Sequence, residues 1–313
     1  MENYGLIPQQ LAGEDFVLGG VASLPKTVLR PDGQWDDFLP SVELQRTPAY
    51  ETFGCVSFSF LNCIETLLKA RGWGEINFSD RALAKMSGTT KNGNSMRDVA
   101  ETARTRGLVL ENVWPFGGET REEFYKEVPG NILSTAKDFL GANQIGYEVV
   151  WSYPDQMCEA LRYSPLQAAL YAWGGEIGGI KQPVLKDSNH CIEIYGYEYG
   201  KYWKVYDTST YSHKKISWEY DTFNYRFNIE KIMPEKNPLK LPNNILVQEV
   251  EQTGQFGMYL NGDILVAEKG REGALSLTLL MRGLNPVDPK QRRPMTSKEW
   301  AMYPKKDLAG NLL

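Results

Sequence analysis

The stretch HCIEIYGYEYGKYWKVYD, residues 190–207, restricts the fold more than any other part of the chain. Two runs rich in Ile, Val, Tyr and Trp flank a Gly-containing turn, which is the pattern of a β-hairpin. The hairpin opens on His190 and ends on Asp207. These positions differ by an odd number. A hairpin closed by an even-length loop therefore puts both side chains on one sheet face, on neighbouring strands. An aspartate beside a histidine fixes the ring tautomer and stabilises the imidazolium. A lone strand histidine is otherwise more often a hydrogen-bonded structural residue. The chain has 2 histidines in 313 residues, so any chemistry that needs an imidazole uses His190 or His213. His213 lies in STYSHKKIS, which reads as a polar surface loop.

A nucleophile to match this pair is found in ETFGCVSFSFLNCIETLL, residues 51–68. Val56, Phe60, Cys63, Ile64, Leu67 and Leu68 recur at helical spacing, and Gly72 sits where a terminating glycine belongs, so a helix is expected over 54–71. Cys63 falls on the apolar stripe and reads as core. Cys55 stands at the helix N-terminus, where free N–H groups and the helix dipole favour a thiolate. Taken alone, a Gly-Cys at a helix start is more often a packing residue. With His190 and Asp207 it completes a set of complementary roles: nucleophile, base and orienter. The 4 cysteines form no disulfide framework. Cys55 and Cys63 lie about 12 Å apart along one helix, too far to bridge. No CxxC or Cys/His spacing suggests zinc, and no cofactor is implied.

Helical signals come early in the chain and strand signals late. A helix over 80–86 is capped by Ser79, another begins at Ser95 with Asp98 and stops at Gly107, and Thr120 to Glu123 opens a short one. Strands are expected at 147–151 and in LQAALYAW, with a helix from Pro154 between them. This order indicates an α+β fold with a helical lobe and a sheet lobe. Residues 1–40 read as an extended arm and 41–233 as the main domain. PEKNPLKLPNN, within 234–244, reads as a linker. Residues 245–313 read as a small β-hairpin-plus-helix module, with a turn at Asn261-Gly262, a helix over 272–283 and a capping box from Thr296 to Glu299. Net charge is −5 at pH 7, which favours neither nucleic acid nor an anionic membrane. No apolar run reaches the roughly 20 residues of a membrane helix, and the polar start shows no signal peptide, so a cytoplasmic location is expected.

Four segments, in order, resemble the papain-like cysteine peptidases. GCVSFSF resembles the family's helix start at the nucleophile. NGNSMRDVAETARTRGLVLENVWPF resembles its Gly-Gly-x-Met helix and the Tyr-Pro-Tyr that follows. EALRYSPLQAALYAW resembles the segment in which Gly-Pro precedes a strand. SNHCIEIYGYEYGKYWKVYDTST resembles Asn-His-Ala-Val followed by Tyr-Trp and Asn-Ser. LPKTVLRPDGQWDDFLPSVELQ is similar to the mature N-terminus. The resemblance covers roughly residues 24–230.

It implies a two-lobed papain-like fold, with nucleophile at Cys55, base at His190 and orienter at Asp207, where the family more often has Asn. It implies that Gln45 is the oxyanion donor, although the family's Gln stands six residues before the Cys and Gln45 stands ten before. It assigns Gly93, Asn94 and Ser95 to the substrate-cleft wall, with Asn189 beside His190 on the substrate side. Val56 replaces the family's Trp, no Trp follows Asp207, and the usual disulfide cysteines are missing, which fits a bacterial or phage relative. The partner implied is a peptide or protein substrate, with a further protein partner for the C-terminal module. Two other readings stand beside this one. One is a papain-like scaffold with a structural role in a virion or assembly. The other is a Cys-His-Asp transglutaminase-like enzyme or amidase, a family that usually has a shorter Cys-to-His gap.

Overall fold

Helices do come first. α1 (Cys55–Ala70), α2 (Asp80–Met86), α3 (Met96–Arg106), α4 (Arg121–Phe124) and α5 (Gly130–Ala142) precede β1 (Asn143–Val150). α6 (Pro154–Leu161) leads into β2 (Leu166–Leu170), the short β3 (Glu176–Ile177) and β4 (Ile180–Lys181), then β5 (His190–Glu198), β6 (Tyr202–Asp207), β7 (Ser212–Ser217) and β8 (Phe223–Lys231). The computed structural model describes residues 4–231, except 14, 21–22, 42, 47–48, 116–119 and 211, and five strands beyond residue 245. The chain divides into two units, Met1–Ile232 and Met233–Leu313.

The first unit is mixed α+β, as expected. Its eight-stranded sheet has the order β1-β8-β2-β5-β6-β7-β4-β3 and is antiparallel except between β4 and β7. α1 is wrapped on all sides: every residue from Cys55 to Leu68 is buried. Several of its polar groups are bonded internally. Ser59 Oγ donates to the Cys55 carbonyl (2.7 Å), and Gln167 Nε2 on β2 donates to the Val56 carbonyl (2.8 Å) and to Ser59 Oγ (2.9 Å). Phe60 of α1 meets Phe227 of β8 edge-on at 4.9 Å.

β5 and β6 form the expected hairpin, but with a different parity. The loop 199–201 has an odd length: Glu198 pairs with Tyr202 and Gly196 with Lys204. Continued unbroken, that register would turn His190 and Asp207 to opposite faces. A bulge at Tyr195 shifts it, so that Ile194 faces Val205 and Glu193 faces Tyr206. This returns His190 and Asp207 to one face. The Tyr195 carbonyl accepts the Trp35 N–H (2.9 Å), which satisfies the bulge.

STYSHKKIS is not a loop. Residues 212–217 form β7, with Tyr206 opposite His213 and Asp207 opposite Ser212. Burial alternates: His213 and Lys215 are exposed, Lys214 is half-buried and Ile216 is buried. Ladder pairing with β6 outweighs the polar composition. α5 was also hidden, because only Ile132 and Ala136 of its residues are buried. β8, which pairs with both β1 and β2, was not anticipated either.

In the second unit, β9 (Leu246–Gln248), β10 (Gln255–Leu260), β11 (Asp263–Glu268), β12 (Arg293–Pro294) and β13 (Lys305–Lys306) form a sheet in the order β12-β9-β10-β11-β13. β10 and β11 are antiparallel, with Leu260 opposite Asp263. The linker at 234–244, the Asn261-Gly262 pair, the helix expected over 272–283 and the Thr296–Glu299 box lie outside the described residues.

Candidate active site

Cys55 is the first residue of α1 and is completely buried. Its Sγ faces the backbone N–H of Cys191, the residue after His190. Burial pushes the Cys55 thiol well above its ordinary range, and the nearby Cys191, Glu51 and Asp207 add to this against the Cys191 N–H. Desolvation thus outweighs the helix-terminal effect expected from the sequence.

His190 opens β5 and is likewise buried. Its Nε2 lies 2.8 Å from Asp207 Oδ1. Asp207 also accepts the Ser209 N–H on Oδ1 (2.9 Å), and the Thr210 hydroxyl (3.2 Å) and the Lys214 ammonium (2.5 Å) on Oδ2. Burial alone would raise the Asp207 carboxyl. The His190 hydrogen bond and the charges of His190 and Lys214 outweigh it and hold Asp207 far below the usual carboxylate range. An ionised Asp207 can only accept, so the proton it faces belongs to Nε2. The other ring nitrogen, Nδ1, is buried and takes no hydrogen bond. The imidazole is flanked by Tyr4 (ring centroids 4.6 Å) and the edge of Trp173 (5.9 Å).

Gln45 stands ten residues before Cys55, yet the chain brings it back. Thr52 N–H donates to the Gln45 carbonyl (3.2 Å), and Arg46 and Glu51 pair across the base of the intervening loop. Gln45 is fully buried, and its Nε2 donates to the Tyr4 carbonyl (3.2 Å) and Glu51 Oε1 (2.9 Å). Its Oε1 accepts the Thr208 hydroxyl (3.1 Å), which ties it to the residue after Asp207.

The N-terminal arm runs between these groups and the helical lobe. Ile7 N–H donates to the Asn94 carbonyl (2.8 Å) and Asn94 N–H to the Gly5 carbonyl (3.0 Å), a parallel bridge centred on Leu6. Gly5 (φ +105°) and Gly93 (φ +93°) make this approach feasible. A Cβ on Gly5 would sit 2.0 Å from the Phe53 carbonyl, and one on Gly93 would sit 2.0 Å from the Gly5 carbonyl. Ser95 caps α3 by accepting the Asp98 N–H. Asn189 turns away from the cleft: its Oδ1 accepts the Ala172 N–H (2.8 Å) and its Nδ2 donates to the Ala172 carbonyl (3.4 Å). The extended segment thus meets His190, Gln45, Gly93 and Asn94. Sequence reasoning missed Tyr4, Trp173 and Lys214. The alternation in SHKKIS was the one signal for Lys214.

Among the described residues, no group of three His, Cys, Asp or Glu side chains could hold a metal ion, and no helix is long and apolar enough to cross a membrane. No family model matches the sequence, and no curated protein matches it. Among solved structures, the chain is similar to the cysteine protease and lectin-like domains of Cwp84, a surface layer associated protein of Clostridium difficile. The identity is 17% over 73% of this chain and 56% of that chain, with a TM-score of 0.54. The fold is papain-like. The chain is also similar to Xylellain, a cysteine protease from Xylella fastidiosa (16% identity, 72% of this chain and 96% of that chain, TM-score 0.49). It is similar as well to the proform of Amb a 11, a cysteine protease and ragweed pollen allergen (16% identity, 66% of each chain, TM-score 0.46). The match thus spans about half of the Cwp84 chain and about two thirds of the ragweed chain.

Proposed function

We propose that the chain is a cysteine peptidase that hydrolyses peptide bonds through an acyl-enzyme on Cys55. The observation that carries this is the buried His190–Asp207 pair, whose Nδ1 takes no hydrogen bond, with Cys55 packed against the next residue, Cys191. In the reaction, His190 Nδ1 takes the Cys55 proton and the thiolate adds to the scissile carbonyl. His190 then returns the proton to the leaving amine, and water repeats the sequence to release the acyl group. Gln45 Nε2 donates to the developing oxyanion, as it now donates to the Tyr4 carbonyl. Asn94 pairs with the substrate backbone, as it now pairs with Gly5 and Ile7. The arm holds both positions, so it leaves the cleft before a peptide enters.

The test is a peptide bearing a thiol-reactive group, offered to the parent and to Cys55→Ala after the arm is released. Labelling and hydrolysis in the parent, both absent in the variant, support the reading. Equal turnover by the two would overturn it. A scaffold role is favoured by one observation, the full burial of Cys55 and His190. It is supported if releasing the arm leaves Cys55 inert.

A further inference from the structure

Gln45 is held along its backbone and at both ends of its side chain. Its N–H donates to the Thr208 carbonyl (3.2 Å), and its own carbonyl accepts the Thr52 N–H (3.2 Å). The side-chain Oε1 accepts the Thr208 hydroxyl, while Nε2 gives one hydrogen to the Tyr4 carbonyl and the other to Glu51 Oε1. Glu51 Oε1 also accepts the Phe53 N–H (3.1 Å), and Phe53 has left-handed backbone (φ +56°) two residues before Cys55. A bulky residue keeps such backbone only where its surroundings hold it there. Glu51 Oε2 accepts the Arg46 Nε–H (3.1 Å), and the Glu51 side chain is 10% exposed. One oxygen of Glu51 thus joins the Gln45 amide to the turn that ends at Cys55.

We propose that Glu51 is a positioning residue that fixes which way the Gln45 amide faces, so that Nε2 rather than Oε1 meets the carbonyl oxygen of a bound peptide. The inference deepens the peptidase reading above and rests on it for its chemical meaning. A side-chain amide has a donor end and an acceptor end of nearly the same shape, and a half-turn exchanges them. The Thr208 hydroxyl both donates and accepts, so it can bond either end. A carboxylate only accepts, so Glu51 admits Nε2 alone. The Tyr4 carbonyl makes the same selection while the arm is seated. Once the arm leaves, Glu51 alone of these side-chain partners still makes it. With the amide reversed, Oε1 would face the developing oxyanion and repel it, where a donor is needed. Arg46 on the far oxygen balances the carboxylate, so the donor does not stand beside an uncompensated anion. Arg46 and Glu51 both lie in the stretch that separates Gln45 from Cys55.

The experiment has two readouts. The first is the side-chain amide signal of Gln45 in the full chain, by NMR with isotope-labelled glutamine, identified by its loss in Gln45→Leu. In Glu51→Ala the amide proton that faces Glu51 is expected to move upfield and to exchange faster with water, because its acceptor is gone. Glu51→Gln, which keeps an acceptor and removes the charge, is expected to stay near the parent. The second readout is peptide hydrolysis after the arm is released. Glu51→Ala is expected to lower kcat by about tenfold or more, part of the loss that removing an oxyanion donor causes. KM is expected to stay within about threefold, because the contact acts in the transition state. Glu51→Gln is expected to recover most of kcat. An amide signal in Glu51→Ala identical to that of the parent overturns the proposal, and so does an unchanged kcat. Glu51→Gln as slow as Glu51→Ala overturns it too, since charge and not orientation would then be the cause. If Glu51→Ala does not fold, Glu51→Met removes the same acceptor. Failure of both to fold assigns Glu51 to the turn at Phe53 alone and also overturns the proposal. A parent that hydrolyses no peptide counts against the peptidase reading alone, and the amide signal still decides whether Glu51 fixes Gln45.

Discussion

Cys55 and Glu193 are both buried ionisable groups held neutral by desolvation, and the sign of each consequence differs. Burial pushes the Cys55 thiol well above its usual range, so in the intact chain the thiolate forms only at alkaline pH. Alkylation of Cys55 by a small haloacetamide should therefore be slow at pH 7 and rise above the range of about 8.5 of a free thiol. A midpoint below that range in the intact chain would contradict the buried arrangement. Glu193, on β5, is fully buried and raised to about 8, by burial acting against the Thr66 hydroxyl. Its folded value is above its unfolded one. The stability it contributes is therefore present below the unfolded value near 4.5 and is lost as pH rises through about 8. The Tm of Glu193→Gln minus that of the parent should grow between pH 5 and pH 9, at up to about 1.4 kcal/mol of stability per pH unit. Parallel curves would show that Glu193 ionises freely in the folded chain. The nucleophile, base and orienter were legible because the chain has so few histidines and because Asp207 ends the strand after His190. Glu193 and Lys214 were not, because their significance depends on what faces them across the sheet and α1.

One tie between the N-terminal segment and the sheet runs through a buried ion pair. Glu148 of β1 and Arg226 of β8 are directly opposite, 0% and 1% exposed, and hydrogen-bonded. Glu148 also accepts the Leu24 N–H (2.7 Å), and Arg226 Nη2 donates to the Leu24 carbonyl (2.9 Å). Truncating one partner leaves the other charge buried and unpaired. Arg226→Ala should cost about 3–5 kcal/mol. Replacing both with methionine should recover most of that loss, read as denaturant midpoints with an unchanged slope. A double variant as unstable as the single would point to the lost contacts with 24–25 instead. At this scale, the capped and strongly periodic helices α1, α2 and α3 were legible to within a residue or two. The elements that were not share one cause: their regularity comes from partners distant in sequence. β7 is a strand because β6 pairs with it. The bulge at Tyr195 follows from an odd loop and a fixed need for facing, which no local pattern records.

The placement of residues 4–7 belongs to the molecule as a whole, since no local signal marks a Pro- and Gly-punctuated arm as the neighbour of Phe53, Asn94 and His190, far along the chain. The arm is fastened on both sides. Arg97 of α3 makes a two-point ion pair with Asp15, and Gln9 bridges the Arg97 N–H (2.7 Å) and the Tyr225 hydroxyl (2.6 Å). Phe16 and Leu18 bond Val149 of β1 (2.7 and 2.9 Å). Ahead of these ties, Gly5 passes so close to Phe53 that a single methyl group cannot fit there. Gly5→Ala should therefore unseat the arm locally while leaving every residue of the site and every distal tie intact. Once Tyr4 is lifted, water should reach His190 and Cys55 and relieve the burial that raises the thiol. Cys55 alkylation should then speed up by about tenfold or more at pH 7, with its midpoint moved to lower pH, since each pH unit of midpoint changes the thiolate fraction about tenfold. The Tm should fall by no more than a few degrees, because one short bridge and one ring contact are lost from a core that stays closed. An alkylation profile identical to that of the parent would mean that the arm does not guard the thiol. The burial of Cys55 would then come from the two lobes themselves.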